Sequence, residues 1–150
     1  MYRLLRNLLW VLVLATVGGS AMGCEAPGVG DPCEPEQVPL GGFVPSEAYL
    51  ETSSVQCRTR VCMVYKLRGV PSFVDSEGIL RCAAADMADC ATSDETDRRV
   101  YCTCRCDAPA ESNATLCECP DGFSCVEVLE LGGDGIRGSY CAKSDTIVEE

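Results

Sequence analysis

The sequence predicts a small all-β, disulfide-rich single domain, with about four to five strands and a C-terminal β-hairpin. Three observations carry that prediction. Thirteen cysteines stand in 150 residues, a density that belongs to oxidising compartments and to small folds stapled by disulfides. Large apolar residues are scarce, with three Phe and one Trp, so a core alone stabilises little and cross-links must add to it. Several short runs alternate apolar and polar residues at every second position, which places one set on one face of a strand.

The N-terminus reads separately from the domain. Residues 1–7 carry Arg3 and Arg6, and residues 8–17 are apolar apart from Thr16. Gly18, Gly19, Ser20, Ala21 and Gly23 then lead to Cys24. A basic start, a short apolar run and a small-residue cleavage site describe a secretory signal peptide over residues 1–23. A membrane span needs about 20 apolar residues, and Arg6 interrupts any extension of this run.

Ala21-Met22-Gly23-Cys24 resembles a bacterial lipobox, in which the cysteine receives a lipid and becomes the first mature residue. The likeness departs at Ala21, where Leu is preferred, and at Met22, where a small residue is usual. Ala21 and Gly23 also suit ordinary signal peptidase, as small residues at −3 and −1. Parity favours lipidation, because an odd thiol in an exported chain calls for an explanation. Setting Cys24 aside leaves twelve: Cys33, Cys57, Cys62, Cys82, Cys90, Cys102, Cys104, Cys106, Cys117, Cys119, Cys125 and Cys141. Twelve form six disulfides with none left over. As a whole the chain resembles small cysteine-rich bacterial lipoproteins, which implies an envelope location and attachment to the membrane through the lipid on Cys24. The resemblance implies no particular activity.

From Cys24 onward, ten basic residues face 23 acidic ones, a net charge of −13. Nucleic acid is excluded as a partner, since phosphate binding relies on Lys and Arg. The charge also disfavours docking on an anionic membrane surface and is read as a source of solubility.

Residues 25–45 hold five prolines and four glycines without periodicity, as expected of a tether (residues 24–45) pinned to the domain by Cys33. The domain is expected over residues 46–143. Residues 46–54 read as a strand. Residues 57–67 alternate: Cys57, Thr59, Val61, Met63, Tyr65 and Leu67 on one face, Arg58, Arg60, Cys62, Val64 and Lys66 on the other. That pattern predicts a strand with an apolar inner face and a basic outer one. Residues 72–97 read mostly as loop, with a helical turn or two on the alanines of residues 83–88 and an exposed acidic loop over residues 92–97. Residues 98–106 form a strand with Cys102, Cys104 and Cys106 at every second position. Those neighbours lie about 6.5–7 Å apart at Cα, at the edge of disulfide reach, so they pair elsewhere. The face of residues 57–67, the loop of residues 82–90 and the C-terminal hairpin offer partners. Residues 124–131 and 136–142 alternate around Gly132-Gly133-Asp134-Gly135, a hairpin signal. Residues 144–150 read as an acidic tail.

Chemistry-bearing motifs are sparse. The chain has no histidine, so Ser-His-Asp and Cys-His catalysis are impossible and the commonest general base is missing. No catalytic residue, cofactor or metal is assigned, and the chain is read as not an enzyme. Cys-x-Cys-x-Cys and Cys117-Glu118-Cys119 suit thiolate clusters only in a reduced chain, which leaves a metal-binding protein as one alternative. Asp94-Glu95-Thr96-Asp97 and Gly133-Asp134-Gly135 lack the EF-hand pattern. Asn113-Ala114-Thr115 is a glycosylation sequon only in a eukaryotic host.

Cys117-Glu118-Cys119-Pro120-Asp121-Gly122-Phe123 resembles the end of an EGF-like module, C-x-C-P-x-G-[FY]. It departs in that Cys125 follows after two residues. The likeness implies an extracellular character and a turn at Asp121-Gly122. A second alternative is therefore a secreted, non-lipidated interaction module, an EGF-like ligand or a protease inhibitor presenting residues 70–78. Arg58, Arg60, Lys66, Arg68, Arg98 and Arg99 stand out against the acidic chain as a possible ligand patch for an acidic protein or a polysaccharide, the alternative being pairing with the chain's own carboxylates. The leading expectation is a non-enzymatic envelope lipoprotein with a structural or ligand-binding role.

Overall fold

The computed structural model describes residues 28–84, 86–130 and 133–147. The signal peptide, Cys24, and Leu131 and Gly132 of the expected hairpin lie outside them. The fold is the small disulfide-rich all-β domain that the sequence predicts. Its strands are β1 (Ala48–Glu51), β2 (Val61–Tyr65), β3 (Ser72–Val74), β4 (Leu80–Cys82), β5 (Val100–Thr103), β6 (Arg105–Asp107), β7 (Phe123–Leu129) and β8 (Gly138–Lys143), with one short helix α1 (Ser93–Arg99). They make three antiparallel sheets, β1-β2-β5, β3-β4 and β6-β8-β7.

The β1-β2-β5 sheet is the middle layer. Alternation sends Cys62, Val64, Val100 and Cys102 to one face, where they join Cys33, Phe43, Cys57, Leu67 and Ala91. Met63, Tyr65 and Tyr101 go to the other face and meet Tyr140 and Ala142 of β8. The strand β2 is therefore covered on both sides, and the basic outer face expected for residues 57–67 does not exist. The reason is that the strand is shorter than its pattern. Residues 57–60 form a turn closed by the Arg60 amide donating to the Cys57 carbonyl at 2.9 Å, and Arg60 takes a φ of 64°. Lys66 leaves the strand with a φ of 52°. Only Val-Cys-Met-Val-Tyr remains, a short apolar run that suits a fully buried strand.

Residues 28–45 lie against the domain. The Gly30 amide donates to the Cys102 carbonyl and the Cys102 amide to the Asp31 carbonyl, both at 2.8 Å, so this segment covers the outer edge of β5. Phe43 is buried and exchanges both backbone hydrogen bonds with Gly69, at 2.8 and 2.9 Å.

Further expectations are corrected. Residues 72–82 are a hairpin, not a loop, and its tip is built by Asp75, whose carboxylate accepts from the Ile79 amide at 2.9 Å, the Glu77 amide at 3.0 Å and Arg81 Nε at 2.8 Å. The Ile79 hydrogen bond and then the Arg81 guanidinium hold that carboxyl below its usual range. Val70 and Ser72 are buried, so the inhibitor-like loop of residues 70–78 shrinks to the hairpin tip. Residues 93–99 are helical rather than an exposed loop or the start of a strand. Thr92 caps the helix, its hydroxyl accepting from the Glu95 amide at 3.2 Å. Asp94 and Glu95 in the first turn and Arg98 and Arg99 in the last complement the helix dipole. Residues 144–146 make a 3-10 turn with Thr146 buried, so the packed domain continues past Lys143 where a tail is expected. Of the helical turns expected over residues 83–88, Ala85 lies outside the described residues, and the described ones there hold a 3-10 turn at Met87–Asp89.

The two layers of the β1-β2-β5 and β6-β8-β7 sheets meet at Tyr101, which is fully buried. Its ring meets Phe123 edge-on, with centroids 5.7 Å apart, and its hydroxyl accepts the Lys143 amide at 3.0 Å. Burial pushes this phenol up to about 12 from 10.0. Below pH 10 the folded and unfolded chains are both protonated at this site. Between pH 10 and 12 only the unfolded chain ionises, so the native state binds more protons and stability falls as pH rises. The expected loss is about 1.4 kcal/mol per pH unit across that window. Urea midpoints of the wild type and Tyr101→Phe, compared at each pH from 9 to 12, check it: the wild type declines more steeply than the variant.

Candidate functional site

The described cysteines form six disulfides. Cys33–Cys62 ties the N-terminal segment to β2, and Cys57–Cys102 ties the turn before β2 to β5. Cys82–Cys90 closes the end of β4 onto the 3-10 turn. Cys104–Cys117, Cys106–Cys125 and Cys119–Cys141 gather the C-terminal sheet. Cys102, Cys104 and Cys106 reach three separate segments, but the loop of residues 82–90 is not among them because its two cysteines pair with each other. The strand that carries them is also not one strand. It leaves the β1-β2-β5 sheet after Thr103 and joins β8 from Arg105. At the crossing the Cys104 carbonyl accepts the Cys141 amide at 3.1 Å and the Thr103 hydroxyl donates to the Cys141 carbonyl at 2.7 Å.

The bridges are themselves packed in groups. The sulfurs of Cys33, Cys57 and Cys102 lie within 4.8 Å of one another, as do those of Cys104, Cys117 and Cys141, and those of Cys106, Cys119 and Cys125. Metal-ligand spacing is thus present in distance. In the oxidised chain each of these sulfurs is bound to another sulfur, so none is the thiolate that a metal takes.

The six cations of the possible ligand patch do not share one strand face. Arg58 and Arg60 lie in the turn before β2, where Arg60 reaches the Ser53 carbonyl at 3.4 Å. Lys66 and Arg68 follow the other end of that strand, with Lys66 Nζ 5.7 Å from the centre of the Tyr65 ring. Arg98 and Arg99 are on α1, not on a strand. Arg98 pairs with Asp145 at 3.3 Å, and Arg99 pairs with Glu95 one helical turn away and reaches the Tyr65 carbonyl at 3.4 Å. Pairing with the chain's own carboxylates thus occupies the two helical arginines.

A groove of ≈ 700 Å³ lies elsewhere, between the two sheets. Thr52, Thr59 and Val61 line it from the β1-β2 side, and the irregular segment of residues 111–117, whose Cys117 amide donates to the Arg105 carbonyl at 2.9 Å, lines it from the other. Arg105 and Tyr140 also line it. Arg105 is held by the Asp134 carbonyl at 3.1 Å and by the Gly135 carbonyl, with its guanidinium 5.8 Å from the centre of the Tyr140 ring. The Tyr140 hydroxyl in turn donates to the Ile136 carbonyl at 2.6 Å. These contacts fix the turn between β7 and β8 over the groove. The lining is rich in hydroxyl and amide groups, from Thr52, Thr59, Ser112, Asn113 and Thr115. Such a surface offers hydrogen bonds to a polar ligand and little net charge.

Sequence reasoning does not find Arg105. Its one signal is that it is the only cation between Cys102 and Cys106, and nothing local says that it reaches across to the turn at residues 133–136. A second groove of ≈ 510 Å³ runs beside β1, lined by Pro35, Val38, Pro39, Phe43, Tyr49 and Val64. There the Tyr49 hydroxyl donates to Glu47 at 2.8 Å, and that acceptor raises the phenol pKa. Among the described residues no helix is long and apolar enough to cross a membrane. The number of disulfides points to an oxidising, extracytoplasmic location. Comparison with known proteins finds no matching family model, no similar curated protein and no similar solved structure.

Proposed function

We propose that this protein is a non-enzymatic, lipid-anchored lipoprotein of a bacterial cell envelope, with a structural or ligand-binding role. One observation carries the reading. The six bridges use every cysteine of the chain except Cys24, the residue at which the lipobox-like stretch ends. An unpaired thiol is a liability in an oxidising compartment, and a thioether-linked lipid removes it. The absence of histidine from the sequence supports a binding role over a catalytic one. The groove beside Arg105 supports a polar ligand, of the kind a protein segment or a polysaccharide presents.

The test is the mature N-terminus in a bacterial host. The wild type is expected to partition into detergent with a lipid mass on Cys24, and Cys24→Ser to become soluble. An unmodified, soluble wild-type chain would overturn the reading in favour of a secreted interaction module.

A further inference from the structure

The three C-terminal disulfides form a continuous ladder of sulfurs, with Cys119–Cys141 as its middle rung. Cys141 Sγ lies 3.8 Å from Cys104 Sγ and 3.8 Å from Cys117 Sγ. Cys119 Sγ lies within 4.8 Å of both Cys106 and Cys125. The ladder has an open end and a closed one. Cys125 is exposed, whereas Cys104 and Cys141 are 7% and 0% exposed. The other packed pair, Cys33–Cys62 and Cys57–Cys102, is buried throughout, at 3% or less for every sulfur-bearing residue.

We infer that this ladder is a thiol–disulfide exchange site, entered at Cys125 by an external dithiol and able to pass a thiolate inward to Cys104 or Cys117. Exchange needs disulfide sulfurs packed closely enough for each released thiolate to attack the next, and access for the first attacker. The ladder supplies the packing and the exposed Cys125 the access. In the first step the dithiol's thiolate attacks Cys125 Sγ. A mixed disulfide forms, the Cys106–Cys125 bond breaks, and its electron pair leaves on Cys106. The Cys106 thiolate then attacks Cys119 Sγ, forming Cys106–Cys119 and releasing Cys141 as a thiolate. Cys141 attacks one of the two sulfurs 3.8 Å away, joins it, and releases the other. The second thiol of the external molecule attacks its own sulfur in the mixed disulfide, freeing Cys125. The dithiol leaves oxidised by two electrons. Two new disulfides and two thiols remain among the six sulfurs, so the group holds alternative connectivities at one oxidation level.

Cys125→Ser tests this without added reductant, because it leaves Cys106 as the initiating thiol. The native variant, alkylated at pH 8 and mapped by peptide mass, is expected to lose the single labelled site. Label spreads over Cys106, Cys141 and one of Cys104 or Cys117, and a Cys106–Cys119 linked peptide appears. Label confined to Cys106, with Cys119–Cys141 and Cys104–Cys117 intact, overturns the inference. Should the variant not fold, the wild type treated with limiting dithiothreitol and quenched in acid gives the same reading. A Cys106–Cys119 linkage supports exchange, and its absence while Cys106 and Cys125 are reduced overturns it. Cys90→Ser is the control, since Cys82–Cys90 belongs to none of the three sulfur groups and the thiol left on Cys82 is expected to stay there.

Discussion

Replacing Cys57 and Cys102 together by alanine lowers the unfolding free energy by about 4 kcal/mol, the entropy that a loop of this length returns to the unfolded chain. The bridge spans 45 residues, and only the small Cys82–Cys90 shortcut lies wholly inside it. It also joins two residues that are 1% and 0% exposed, so no solvent compensates for the lost contact. Replacing Cys82 and Cys90, separated by 8 residues, is expected to cost only about 2.6 kcal/mol by the same chain-entropy relation. Denaturant midpoints of the two double variants at neutral pH decide the matter. Equal losses would mean that the unfolded chain is already compact or that native contacts, not loop closure, set the value of each bridge.

Gly69→Ala is the second large effect, with an expected loss of about 3 kcal/mol or more from strain and displaced backbone. Gly69 has a φ of +87°, and a Cβ there would sit 2.3 Å from the Asp89 carbonyl oxygen. The backbone cannot retreat, because Phe43 bonds Gly69 on one side, and Val70 bonds the Asp89 carbonyl at 2.8 Å on the other. Gly78→Ala separates the two causes. Its φ is +77° but nothing lies within 4 Å of its Cβ position, so only the conformational cost of about 1 kcal/mol remains. Thermal and urea unfolding of the two variants are expected to differ by about the remainder, some 2 kcal/mol. A Gly69→Ala variant no weaker than Gly78→Ala would mean that the 28–45 segment and the 3-10 turn move apart freely.

The elements that were legible in the sequence are those whose signal is local. The C-terminal hairpin shows in alternation on both sides of a glycine-rich turn, and β7 and β8 fall within two residues of the expected bounds. Residues 61–65 show in apolar alternation, and β5 and most of β6 in the cysteine-bearing alternation expected over residues 98–106. What remained hidden has two causes. The helix α1 is too short and too acidic to carry an apolar stripe, since Thr96 is its one buried side chain. Its signal was the Thr92–Glu95 spacing, a capping pattern with no hydrophobic run behind it. The second cause is distance along the chain. That β2 is covered on both faces depends on Phe43 and Cys33 from one direction and Tyr140 from the other, and no window around residue 63 contains them. The candidate groove is invisible for the same reason, because Thr59, Arg105 and Ser112 meet only after the chain changes sheet at Cys104.

The way residues 28–33 join the domain also sets how it bears load. Within the described residues, a pull that reaches Gly30 from the N-terminal side meets the hydrogen bonds that Gly30 and Asp31 make with Cys102. Both are made to one residue at the edge of β5. The next residues are Pro32 and Cys33, and Cys33 is covalently joined to Cys62 in the central strand. Tension therefore passes to the middle of the sheet after two hydrogen bonds have opened. The remaining strands are loaded as a unit, and the fold meets such a pull with a covalent stop at Cys33.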